Sequence, residues 1–167
     1  MKRMILFILP LFGLMNMAIT CIPRENENCH TAIRFSNNSD KRLRVAIRPI
    51  DPIMFPLNDP FDIAKFSGVS MGSRPVVYAH EQNNRSATQG TVCIENMPRW
   101  NYSDTLFLFI FDANVIENTP WEVVARDYLV LRRYDLTLED LRRLNWQVTY
   151  PPTEAMRDVR MFPPFGE

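Results

Sequence analysis

Thr105–Asp112 reads TLFLFIFD, a run of strand length that is rich in phenylalanine and carries no polar residue between its ends. A strand with one wet face alternates apolar and polar side chains, whereas one without alternation has to be covered on both faces. The run is therefore predicted to be the central strand of a sheet packed on both sides. The rest of the chain has to supply the cover.

Several shorter stretches have the period-two pattern of neighbouring strands. In TAIRFSNNSDKRLRVAIRP, Ile33 and Phe35 share one side, Asn37–Asp40 carries turn chemistry, and Leu43, Val45 and Ile47 share one side again. This predicts a hairpin. Arg42, Arg44 and Arg48 alternate with the second apolar set, as on a solvated sheet face. Pro49–Pro60 holds four prolines in twelve residues and is predicted to be a long extended loop. Short strands are expected at Asp62–Ser67, Pro75–His80 and Thr91–Glu95, with an exposed polar loop at Glu81–Gly90. Thr119, Pro120 and Glu122 have the spacing of a capped helix start, which predicts a helix from Pro120 to about Ala125 or Asp127. Thr137 caps a second helix in which Leu138, Leu141 and Leu144 fall on one side. Strands at Tyr128–Arg133 and Trp146–Tyr150 flank that helix, and a further helical turn is expected after Thr153 before a Pro-rich end. The fold class that follows is mainly β: a two-layer antiparallel β-sandwich, Ig-like or related, of about seven strands with two short helices.

The first residues stand apart from this domain. Met1–Thr20 has a basic start at Lys2 and Arg3 and an apolar run from Met4 to Met15, the layout of a signal peptide. Pro10 and Asn16 interrupt it, and it falls short of the roughly 20 apolar residues of a spanning helix. Ala18, Ile19 and Thr20 before Cys21 resemble the lipobox of Gram-negative lipoproteins, in which the cysteine is lipidated and becomes the first residue. Residues 21–28 are polar and read as a tether, and residues 29–167 as one domain. Cleavage before Cys21 removes two of the 19 basic residues and none of the 19 acidic ones, for a net of −2. Nucleic-acid binding, which calls for a gathered basic surplus, is not expected. Cys29 and Cys93 are then an even pair in an oxidising compartment. They form either a disulfide worth roughly 2–4 kcal/mol or two buried thiols, and the Cα separation decides between them.

Motifs that would name a chemistry are missing from the sequence. There is no Gly-x-Ser-x-Gly elbow, and Cys29-His30 lacks the surroundings of a cysteine protease. The five glycines form no phosphate-cradling loop. His30 and His80 are the only histidines and sit in no zinc frame, and Asp51, Asp59 and Asp62 lack calcium-loop spacing. No metal, cofactor or catalytic residue is implied. Trp100 and Tyr102, two residues apart, would share one face of a strand, either as a sugar-binding platform or as a cap on the core.

YDLTLEDLRRLNWQVTYPP, preceded by VIENTPWEVVARDYLVLRRY, together with the lipoprotein start and the H-x-x-x-x-F-x-N-N-S-D-K unit, resembles the small lipoproteins of Bacteroides-type bacteria. The resemblance implies an envelope lipoprotein on the outer membrane and carries over no assigned activity. Asp104-Thr105-Leu106 resembles the acceptor for O-glycosylation of exported proteins in such bacteria. The expectation is a non-enzymatic envelope protein, joined to the membrane by lipid at Cys21. Pro49–Pro60 and Glu81–Gly90 would contact an unknown protein or glycan partner. Two other readings compete with it: an enzyme or accessory acting on envelope polysaccharide, and a structural subunit of a surface fibre.

Overall fold

Thr105–Asp112 forms the middle strand, β4, of a five-stranded antiparallel sheet. Leu43–Arg48 (β2) pairs on one side of it and Arg132–Thr137 (β5) on the other. Val76–Val77 (β3) and Arg160–Phe162 (β7) are the outer strands, giving the order β3-β2-β4-β5-β7. A second, two-stranded sheet joins Arg34–Asn37 (β1) to Gln147–Tyr150 (β6) in parallel register. Among the described residues there are three short α-helices: Ala113–Asn118 (α1), Trp121–Arg126 (α2) and Leu138–Arg143 (α3). The computed structural model describes residues 25–48, 76–82, 93–99 and 104–167.

The alternation of β4 sorts its side chains into two cores. Leu106, Leu108 and Ile110 face Leu43, Val45 and Ile47 of β2, Tyr134 and Leu136 of β5, and the cover provided by Ile33, Phe35, Leu141, Trp146 and Val148. Phe107, Phe109 and Phe111 lie on the opposite face with Ala46 and Val124, and Ile116 of α1 packs against them. Both faces of the strand are thus buried, as the unbroken apolar run requires. The fold is mainly β and built from two sheets, and the predicted helices correspond to α2 and α3. Tyr134 ties the two sheets together: its hydroxyl donates to the Thr149 carbonyl at 2.8 Å. Burial holds its phenol above the ordinary value.

Four local expectations are corrected. The predicted hairpin at residues 31–48 does not form, because β1 and β2 belong to different sheets. Asn37 sits at the crossing, fully buried, and its side chain uses its whole bonding capacity. Its Nδ2 donates to the carbonyls of Lys41 at 2.6 Å and Tyr78 at 2.9 Å. Its Oδ1 accepts from the Ser39 N–H at 3.0 Å and hydroxyl at 2.7 Å. Those four bonds hold a chain reversal that sends β2 to the other sheet instead of back along β1.

The expected strand at Thr91–Glu95 is instead, from Ile94 onward, a 3-10 turn over Ile94–Arg99. Ile94 is buried and donates its N–H to the His30 carbonyl at 2.7 Å, a single anchor in place of a ladder. The strand expected at Tyr128–Arg133 starts later, at Arg132, because Tyr128 adopts a positive φ of 49° that no strand accommodates. Glu25–Asn28, expected in the tether, is bonded to the domain: Asn26 and Cys29 exchange backbone hydrogen bonds at 3.0 and 3.1 Å. Asp62–Ser67, Pro49–Pro60 and residues 83–90 of the polar loop lie outside the described residues.

Candidate functional site

Cys29 and Cys93 are joined by a disulfide with a Cα separation of 4.9 Å. The bond sets the neighbours of both cysteines against each other. The His30 N–H donates to Glu95 Oε1 at 3.1 Å and Oε2 at 3.0 Å, and the His30 ring Nδ1 lies 2.6 Å from Oε1. One face of the imidazole stacks on Trp146, with ring centroids 3.9 Å apart and planes 13° from parallel. Burial pushes the Glu95 carboxyl up, but the backbone and ring hydrogen bonds from His30 outweigh it and hold the group below its ordinary value. Beside this corner the Thr31 hydroxyl donates to Glu25 at 3.0 Å. The Glu95 carboxylate therefore accepts three contacts from one residue, which is the bonding of a clasp.

A second constellation lies around the Asn37 crossing. The Asn37 N–H donates to the Glu81 carbonyl at 2.9 Å, and the His80 N–H to the Ser39 carbonyl at 3.3 Å. With the two Asn37 side-chain bonds to the Lys41 and Tyr78 carbonyls, these contacts fix residues 37–41 and 78–82 as one pair of loops. Apart from the buried Asn37, the side chains they carry are exposed or half-buried. Tyr78 is 63% exposed, and Asp40 Oδ1 accepts from the His80 ring Nε2 at 2.9 Å. Gln82 donates to Asn38 Oδ1 at 2.9 Å.

Several other charged groups are paired. Glu117 of α1 receives both Arg42 and Arg44, the latter at 2.6 Å. These arginines of the predicted solvated face thus dock a helix against β2. Asp135 is buried and pairs with Arg133 at 2.7 Å and Arg160 at 3.3 Å. Asp112 accepts from Lys41 at 2.8 Å and caps α1 through the Asn114 N–H at 3.0 Å. Arg132 donates to the carbonyls of Pro163, Pro164 and Glu167, fastening the last described segment to β5.

No family model, no curated protein and no solved structure matches this chain.

Of the residues singled out by sequence, Cys29 and Cys93 are brought together, while Cys21, Trp100 and Tyr102 lie outside the described residues. Thr105, in the glycosylation-like motif, opens β4 opposite Thr137, and its hydroxyl donates to Asp104 at 2.9 Å. Among the described residues no cluster of three or more His, Cys, Asp or Glu is arranged to hold a metal ion. Among the same residues no helix is long and apolar enough to cross a membrane. The clasp of His30, Glu95 and Trp146 was missed by sequence reasoning. The signal that would have found it is the pairing of the two cysteines, since His30 follows one and Glu95 lies two residues after the other.

Proposed function

We infer that this protein is a non-enzymatic interaction module of the bacterial cell envelope, anchored by lipid on Cys21 to the outer membrane. The observation that carries the reading is the disulfide between Cys29 and Cys93. Such bonds persist in oxidising compartments and are kept reduced in an ordinary cytosol. The chain has three cysteines, so this bond leaves Cys21 as the thiol for lipid attachment, at the position the lipobox-like segment marks. The resemblance to Bacteroides-type lipoproteins supports the same placement.

Binding, as opposed to catalysis, is favoured by how the ionisable groups are used. Glu95, Asp112, Asp135 and Asp140 each serve a clasp, a cap or a buried pair within the fold. The loop between β1 and β2 and the segment after β3 present exposed polar side chains to water and are the natural contact surface.

The test is expression with the native leader in a Gram-negative host fed a clickable palmitate analogue. Label should enter the wild-type protein and be lost in Cys21→Ala. Equal labelling of the variant, or an unlabelled wild type, contradicts the anchor. Incubating the extracted protein with envelope polysaccharide should release no new reducing ends, and their release would establish the competing enzymatic reading.

A further inference from the structure

The loop pair 37–41 and 78–82 combines properties that a random surface rarely does. It is rigid at its base and unsatisfied at its tip. The base is the buried Asn37 amide, with four side-chain bonds and a fifth from its N–H to Glu81. The turn is tight enough that His80 takes a positive φ of 57°, a conformation a non-glycine residue keeps only where its surroundings impose it. The Tyr78 N–H is itself occupied by the Glu81 carboxylate at 2.8 Å, which fixes the backbone carrying the exposed ring.

The tip carries an aromatic side chain, two carboxamides, a carboxylate and an imidazole: Tyr78, Asn38, Gln82, Asp40 and His80. Asp40 is 98% exposed on its side chain and His80 65%. Asn38 and Gln82 are bonded to each other through one atom each, and Asp40 and His80 likewise. Among the described residues, that leaves the Asn38 NH₂, the Gln82 carbonyl and the second Asp40 oxygen available to a ligand. Planar amide and carboxylate groups offer adjacent donors and acceptors at the spacing of vicinal hydroxyls. An exposed tyrosine ring offers an apolar face with a polar edge, suited to stacking on the C–H face of a sugar ring. Preorganisation means that little conformational entropy is lost when a ligand binds.

We propose that this loop pair is a saccharide-binding site, with Tyr78 as the stacking platform and Asn38, Asp40 and Gln82 as the hydroxyl-reading groups. The proposal rests on the binding reading given above and assigns it a surface and a ligand class. The exposed Asp40 carboxylate at the tip repels anionic sugars, so the ligand class is neutral or amino-sugar polysaccharide and excludes uronic-acid polymers.

The test is affinity electrophoresis of the detergent-extracted full-length protein in gels containing mannan, arabinogalactan, xyloglucan, chitosan or polygalacturonate. At least one of the first four should retard the wild type, and polygalacturonate should not. Tyr78→Ala should weaken the retardation at least tenfold, and Gln82→Ala should weaken it as well, both with the wild-type urea midpoint. If Tyr78→Ala proves destabilised, Gln82→Ala at an exposed position decides the matter alone. Retardation that survives both substitutions overturns this site and leaves a binding function located elsewhere. Retardation by polygalacturonate alone, or by none of the polymers, overturns the ligand class. Failure of the anchored-module reading is seen separately, in the palmitate labelling and the reducing-end assay.

Discussion

Asn37 shows how one side chain can decide topology. The sequence around it has the marks of a hairpin turn, yet its amide bonds across the chain reversal to Tyr78 as well as locally to Lys41 and Ser39. Asn37→Asp would place an oxygen against two carbonyl oxygens. It should cost about 3 kcal/mol or more, since buried acceptors left unsatisfied cost roughly 1–3 kcal/mol each. Urea unfolding measures it, and a loss below about 1 kcal/mol would mean that the crossing is held by something else. Acid should act through the carboxyls at the clasp and the helix caps. Burial raises Glu95, Asp112 and Asp140, and hydrogen bonds from His30, from Lys41 and Asn114, and from Thr137 and Arg143 more than reverse it, so all three lie below their ordinary values. Groups depressed in the folded state bind protons more readily once unfolded. Their stabilisation is whole above the unfolded carboxylate values of 3.8 and 4.5 and drains away as the pH falls through the lower folded values. The melting temperature is predicted to hold between about pH 7 and pH 5 and to fall below about pH 4, and Glu95→Gln should flatten part of that fall.

At the scale of elements, what the sequence disclosed depended on whether a pattern had one structural solution. β4 was legible because an unbroken apolar strand has to be covered twice, and its two cores follow from alternation alone. Leu108, fully buried at its centre, should cost about 2–5 kcal/mol as Leu108→Ala. The α3 start was equally legible. Thr137 accepts the Asp140 N–H at 3.1 Å while Asp140 reaches back to the Thr137 N–H at 3.1 Å, a reciprocal cap. Removing it in Thr137→Ala should cost about 1 kcal/mol, read from the urea midpoint. A smaller loss would leave the cap without weight. By contrast, β1 and β2 show the same alternation whether they pair with each other or with partners far along the chain. Alternation reports which face is dry and says nothing of the neighbour. α1 is six residues with only Ala113 buried, so no apolar stripe exists to be read. β7 has exposed ends around Met161 and is selected by its pairing with β5.

For the whole molecule, the disulfide closes the N-terminal segment onto the 3-10 turn at Ile94–Arg99 and positions the His30–Glu95 clasp over Trp146. With a sequence separation of 64, chain entropy assigns the link about 4 kcal/mol. Cys29→Ala/Cys93→Ala is predicted to lose that much in urea unfolding, and dithiothreitol should lower the wild type to the same midpoint. The candidate site was legible only in part for the same physical reason. The sequence can pair cysteines by count, but His30 and Glu95 are 65 residues apart and Asn37 and Tyr78 are 41 apart, distances that only the folded sheets close. The proposed envelope domain is closed by one disulfide and anchored by one lipid, and intact-mass spectrometry of protein extracted from membranes without reductant tests both. The mass should be that of a chain beginning at Cys21, increased by its lipid and reduced by two hydrogens for the bond between Cys29 and Cys93. A chain beginning elsewhere, a Cys21 without lipid, or two alkylatable thiols in the folded domain would contradict it.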